Sequence, residues 1–354
     1  MGEVFAGRFE LIDPIASGGM GTVWRVLDHT DGRVKAAKML RQTDAAMLLR
    51  FVREQSMRID HTHVVTPESW AGVDDRVLFT MPLVRGGSVA GLIKKYGALP
   101  PRWIGHLVDQ TLQALEAVHA AAIVHRDVKP GNLLLEPTGR GTPHLRLTDF
   151  GIAVPADEPR LTQVAMVIGT PGYMPPEQVA GADPAPSADI YALGMVTLEM
   201  LTGRRPLADP AAGDAAPPRT GDPRHDLVVD LIAAATSFDP AARPGATELR
   251  RHASLRALLA LPPDPHDPVE VVDEYGALPP PPSLATQGGT ASTTRPPYPP
   301  LTSVLPPPPP THAVPNGTIA QAPTYPAGSS RLPAVALIVA GVLGLLASAW
   351  LLLG

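Results

Sequence analysis

Apolar and polar residues alternate over RFELIDPIASGGMGTVWRVLD (8–28), with Phe9, Leu11 and Ile15 ahead of a glycine-rich turn and Val23, Trp24 and Val26 behind it, which predicts two paired strands. RVKAAKML (33–40) keeps the same short alternation and predicts a third strand. The period then changes: Met47, Leu48, Phe51 and Val52 in AAMLLRFVREQSMRI (45–59) recur at helical spacing. RVLFTMPLVRGGSV (76–89) runs from an apolar strand into a Gly-Gly turn. From Arg102 to Ala121 a stripe of Ile104, Leu107, Val108, Leu112, Leu115 and Val118 predicts a long amphipathic helix. SADIYALGMVTLEMLTG (187–203) is a strongly apolar helix, with Ser187 expected as its N-cap and Gly203 at its end. Residues 204–223, rich in Ala, Pro and Gly, are expected to be a short or mobile connection. Helical patterns resume at 226–237 and 246–260, so a packed chain of α+β class is expected to end near Leu261.

Beyond that point the pattern disappears. Residues 262–332 hold nearly half of the 43 prolines, with a run of five at 306–310 and little that could form a core, so a disordered juxtamembrane linker is expected. The segment 333–353 ends in AVALIVAGVLGLLASAWLLL, 20 residues without a charge, which at 1.5 Å per residue is about the thickness of a bilayer core. It predicts a single transmembrane helix. Arg331 ahead of it favours the preceding chain facing the cytoplasm. Four residues follow Trp350, so no external sensor domain is expected.

Composition narrows the classes further. Of 354 residues none is cysteine, which removes disulfide frameworks and thiolate metal sites; a reducing compartment and a genome that avoids Cys account for this equally well. The net charge of −5, with no basic block, lacks the electrostatic footprint of a nucleic-acid binder.

Candidate chemistry lies in VHRDVKPGNLLL (124–135) and in TDFG (148–151), whose Asp149 stands 17 residues after Asn132. Moving a γ-phosphoryl group needs a carboxylate to orient the attacking hydroxyl, a cation on the migrating phosphate and oxygen donors for Mg²⁺. Asp127, Lys129, Asn132 and Asp149 answer those needs in order. Glycines at 18, 19 and 21 let backbone N–H groups approach phosphate oxygens where a Cβ would obstruct, although Gly-Gly-Met-Gly alone reads equally well as a hairpin turn.

Together these motifs resemble those of bacterial eukaryotic-type (Hanks-type) serine/threonine protein kinases of the actinobacterial kind, over about residues 8–260. The resemblance implies a bilobal protein kinase fold for 8–261, with a β-rich N-lobe (8–81) and an α-helical C-lobe (85–261). It implies ATP as substrate, Mg²⁺ (or Mn²⁺) as metal held by Asn132 and Asp149, and Asp127 and Lys129 as catalytic groups. Lys38 would position the triphosphate, fixed by Glu54; from spacing alone Lys35 is expected on the same strand face, where it competes with Lys38. The glycine-rich loop would comprise Ile15, Ala16, Ser17, Gly18, Gly19, Met20, Gly21, Thr22 and Val23, with Ala16 where the family has glycine. Ala36, Met81, Pro82, Val84 and Leu134 would surround the adenine, Pro82 replacing an acidic residue whose side chain the site does not use.

Regulation is implied as well. Arg126 before Asp127 marks kinases that depend on activation-loop phosphorylation, and in LTQVAMVIGTPGYMPPE (161–177) Thr162 matches a family autophosphorylation site. Thr170 matches the threonine that bridges the catalytic Asp and Lys in serine/threonine-selective kinases. Glu177, behind an unusual Pro175, would pair with Arg243, and Asp189 would hold the catalytic-loop backbone. Expected partners are protein substrates, the membrane and a second kinase domain for trans-autophosphorylation, with the chain in the cell membrane and its kinase domain cytoplasmic. The rival is a pseudokinase scaffold without turnover, hinted at by Ala16, Pro82 and Pro175. A small-molecule kinase is disfavoured by the GTPGYMPPE segment, which serves to dock peptide.

Overall fold

The alternating stretches of the first 81 residues pair into one antiparallel sheet, because each strand has one apolar face to hide. In the computed structural model of the chain, the described residues are 3–18, 21–41, 59–74, 76–149, 170, 172–206 and 216–276. Among them, β1 (Val4–Phe5), β2 (Phe9–Gly18), β3 (Gly21–Asp28), β4 (Arg33–Arg41), β5 (Ser69–Val73) and β6 (Arg76–Met81) form a sheet of order β1-β2-β3-β4-β6-β5. One face buries Phe5, Phe9, Leu11, Val26, Ala37 and Leu78. The other carries Ala36 and Met81, which join Val65 and Val84 in a separate apolar cluster. The helix expected over 45–59 falls outside the described residues.

The second half is helical. Ser88 caps α1 (Val89–Tyr96) by accepting from the Gly91 N–H at 3.3 Å. In α2 (Pro101–Ala120) the expected stripe is fully buried, and Trp103 joins it. A small hairpin of β7 (Leu133–Leu135) and β8 (Leu145–Leu147) follows the loop carrying Asp127. After α3 (Pro176–Val179), α4 (Pro186–Thr202) runs through the core and is buried on nearly every side, which is why its sequence is apolar all round. Then come α5 (Pro223–Ala235), α6 (Ala246–Arg250) and α7 (Ala253–Leu259).

Three expectations are corrected here. Ser187 is not the cap of α4: Ala185 is, with Pro186 opening the first turn, and Ser187 instead presents its carbonyl to Arg243 at 3.2 Å. The helix expected over 246–260 is two, because His252 adopts extended backbone and its Nδ1 accepts from the Ser254 N–H at 3.3 Å, starting a new helix. Finally, the packed chain does not stop at Leu261. Val269 and Val271 are buried in the large core, and Val271 exchanges two 2.9 Å backbone hydrogen bonds with Gly139.

Candidate active site

The loop carrying Asp127 is held from beneath by one buried carboxylate. Asp189, near the start of α4, accepts from the N–H groups of His125 and Arg126, each at 2.8 Å, and from His119 Nε2 at 2.8 Å. These bonds hold Arg126 at φ 68°, a conformation that a residue with a Cβ adopts at a cost. His125 is wholly buried, and burial pushes its pKa down, so the ring is neutral. A neutral ring has one donor and one acceptor. Nε2 lies 3.1 Å from the Thr148 carbonyl and Nδ1 accepts from the Asp127 N–H at 3.3 Å. His125 therefore links the Asp127 loop to the strand end that presents Asp149.

At the loop surface, Asp127 collects its partners. Lys129 Nζ lies 2.6 Å from Asp127 Oδ2, while Thr170 Oγ1 donates to Oδ1 at 3.1 Å and accepts from Lys129 at 3.3 Å. The Asn132 amide nitrogen donates to both the Asp127 carbonyl (2.8 Å) and Oδ2 (2.9 Å), which leaves its side-chain oxygen as the atom for a cation. A cleft beside Asp127 is lined by Arg126, Thr170, Met174, Pro175 and Gln178.

Lys38 reaches across from β4 and pairs with Asp149 Oδ1 at 2.7 Å. Lys35 does not compete for this place, and the expected competition is corrected, because the spacing itself excludes it. Three residues apart on a strand, the two lysines project to opposite faces. Lys35 lies instead against Asp28 (3.0 Å), Asp31 (2.8 Å) and Glu68 (3.0 Å). The donor set of Asn132 and Asp149 is oxygen alone, which suits Mg²⁺. Among the described residues no cluster of three or more His, Cys, Asp or Glu forms a metal site by itself. A hard cation held here would complete its shell from phosphate and water.

Above this polar centre lies the apolar cluster. Ile15, Val23 and Leu134 pack against Ala36, Val65, Met81 and Val84, so residues from five strands, with the segments before β5 and after β6, form the walls of one cleft. Val65 and the Thr148 hydroxyl, 4.0 Å from the Met81 sulfur, belong to this region without any local signal that could have named them. Pro82 lies between Met81 and Val84 and is half-buried. In the glycine-rich hairpin, Ala16 pairs with Val23, Ser17 with Thr22 and Gly18 with Gly21. Gly21 has φ 136°, and a Cβ there would run into the Met39 carbonyl. Gly19, Met20, Glu54 and Thr162 lie outside the described residues.

Two further pairs brace the segment that follows Thr170. Arg243, whose side chain has no exposure, makes a two-pronged contact with Glu177 at 2.6 and 2.8 Å and donates to the carbonyls of Ser237 and Ser187. The Tyr173 hydroxyl donates to Glu199, a contact sequence reasoning did not foresee.

The protein kinase domain model matches residues 9–254. Over 241 residues the chain is 36% identical to the serine/threonine-protein kinase PknA of Mycobacterium tuberculosis, covering 65% of this chain and 55% of that protein. It is 36% identical over 284 residues to the serine/threonine-protein kinases drp72 of Corynebacterium efficiens (73% and 54%) and 35% identical over 278 residues to the serine/threonine-protein kinase PkaB of Streptomyces coelicolor (74% and 65%). The chain thus spans between half and two thirds of the length of these relatives.

Proposed function

This chain belongs to the protein kinase family, and on that premise we propose that it transfers the γ-phosphoryl group of ATP to serine and threonine hydroxyls of proteins. The observation that carries this reading is the meeting of Asp127, Lys129 and Thr170 within 3.3 Å of one another, on a loop that also presents Asn132. ATP is the phosphoryl donor, and Asn132 and Asp149 would hold Mg²⁺, or Mn²⁺ in its place, which when bound would supply neutralisation of phosphate charge. Asp127 orients the acceptor hydroxyl and receives its proton. Lys129 puts a cation where negative charge develops, and Thr170 keeps the Asp127 carboxylate turned toward it. Lys38 supplies a second cation on the other wall, and the apolar cluster around Ala36 and Met81 excludes water from a flat base. A scaffold without turnover is disfavoured, since each described group that the chemistry needs is present.

Around this centre the remaining roles follow as proposals. Thr162 is the autophosphorylation site whose phosphate Arg126 meets, formed in trans between two kinase domains. The apolar segment 333–353 anchors the chain in the cell membrane with the kinase domain in the cytoplasm, at the end of a proline-rich tether.

The deciding experiment incubates the chain with radiolabelled ATP, Mg²⁺ and myelin basic protein. Label on the acceptor is expected, and Asp127→Asn should lower it by about 10²- to 10⁴-fold. Equal label from both proteins would overturn the reading.

A further inference from the structure

Between Val269 and Gly276 the chain stays packed on the domain and runs from the large core to Arg85 and Arg25. Val271 is buried and pairs with Gly139, and Tyr96 Oη donates to the Glu270 carbonyl at 3.2 Å. The next residues turn to the segment that joins sheet to helices. Asp273 takes a 2.8 Å ion pair from Arg85, the Glu274 N–H donates to the Arg85 carbonyl at 2.8 Å, and Arg85 also donates to the Gly276 carbonyl. Arg85 directly follows Val84, a member of the cleft cluster.

Tyr275 then reaches the opposite boundary. Its ring lies under the Arg25 guanidinium at 5.1 Å, and Arg25 grips Asp13 through two bonds of 2.6 and 2.8 Å. Arg25 stands two residues after Val23, on the same face of β3, and Asp13 stands two residues before Ile15. Val23 and Ile15 are the roof of the cleft. A stretch of three residues thus ties the floor at Arg85 to the roof at Arg25.

The Gly-Gly turn offers an independent observation. A Cβ on Gly86 would strike Val271, and one on Gly87, at φ 74°, would strike the Glu274 carboxylate. The glycines at 86 and 87 make room for this segment.

We propose that residues 269–276 are a strap that sets the spacing between the roof and the floor of the nucleotide cleft, with Tyr275 as a positioning residue acting through Arg25. The inference rests on the kinase reading of that cleft. Packing that served only to finish the large core would stop at Val271; the strap continues to the small sheet and engages it through a cation over a ring face.

The test uses the full chain in detergent, with Tyr275→Ala and Tyr275→Phe. The readouts are the Kd of a fluorescent ADP analogue, and KM for ATP and kcat with a protein acceptor. Tyr275→Ala is expected to raise Kd and KM roughly three- to tenfold, the size of a partly exposed cation–π contact, with kcat within about twofold. Tyr275→Phe keeps the ring face and should behave like the unmodified chain. Unchanged Kd in Tyr275→Ala, or equal weakening in both variants, would overturn the strap. If the unmodified chain binds no nucleotide, the kinase reading falls and the strap with it. If it binds nucleotide and Tyr275→Ala is indifferent, the strap alone falls.

Discussion

Lys35 and Lys38 sit three residues apart on β4 and do opposite work. On the outer face, Lys35 is 9% exposed and surrounded by three carboxylates, one of them the fully buried Asp28, which also binds Arg8 at two 2.8 Å contacts. Burial alone would push the Asp28 carboxyl up, but the hydrogen bonds from Arg8 and Lys35 hold it well below the usual carboxylate range. Burial likewise works against the Lys35 ammonium, yet bonds to Asp31, Asp28 and Glu68 raise it well above an ordinary lysine. On the cleft face, Lys38 has one described carboxylate partner, Asp149, which is itself one-third exposed. A cation whose surroundings are complete holds a fold. A cation whose described partner is one partly exposed carboxylate can take a substrate.

That contrast can be broken most sharply at Lys38. Lys38→Met should lower acceptor phosphorylation by about 10³-fold, as removal of one preorganised charge from a reacting phosphate does, while its melting temperature stays close to that of the unmodified chain. Steady-state kinetics beside calorimetry checks both halves, and a Lys38→Met protein that melts far lower would erase the distinction.

The helical lobe has its own holding cation in Arg243. Arg243→Ala leaves Glu177 without its two-pronged partner and should destabilise the chain by about 3 kcal/mol, read from urea unfolding. Lys35→Met is the matched experiment to Lys38→Met. It should cost about 2 kcal/mol, or about 5 °C in Tm, because Asp28 keeps Arg8 as a second partner, and the specific activity of the folded fraction should change little.

The smallest expected effect is of pH. Burial lowers the pKa of His125, and of His63 and His106 as well, below the usual histidine value. The unfolded chain therefore binds more protons than the folded one as pH falls below about 6.5, so stability is full above that value and is lost on acidification. Melting scans from about pH 7.5 down to about 5.5, on either side of the ordinary histidine pKa, should show a falling Tm. The Asp28 cluster moves later, since depressed carboxyls lose their contribution only below the ordinary carboxylate range.

Much of the site was legible because its residues are close in sequence. Asp127, Lys129 and Asn132 share one turn of chain, and their chemistry follows from residue type and order. The same holds for the two strands that pair up to Gly18 and Gly21, whose alternation is local. Local pattern was silent or misleading elsewhere. Ser187 has the right type for a cap, but Pro186 opens the helix, so that it starts two residues earlier than a Ser187 cap would give. The prolines after Leu261 suggested that packing had ended, yet two valines among them are buried.

By itself the sequence determined the α+β order of elements, the candidate phosphoryl-transfer residues and the apolar stripes that had to be buried, since these depend on periodicity and residue type over a few turns of chain. Only the tertiary structure decided which lysine faces the cleft, that His125 is a neutral link beneath Asp127, that Val65 walls the site, and that 269–276 returns to Arg85 and Arg25. Each of these is set by contacts between residues far apart in the chain, whose pairing depends on how whole faces pack and leaves no mark on the local pattern.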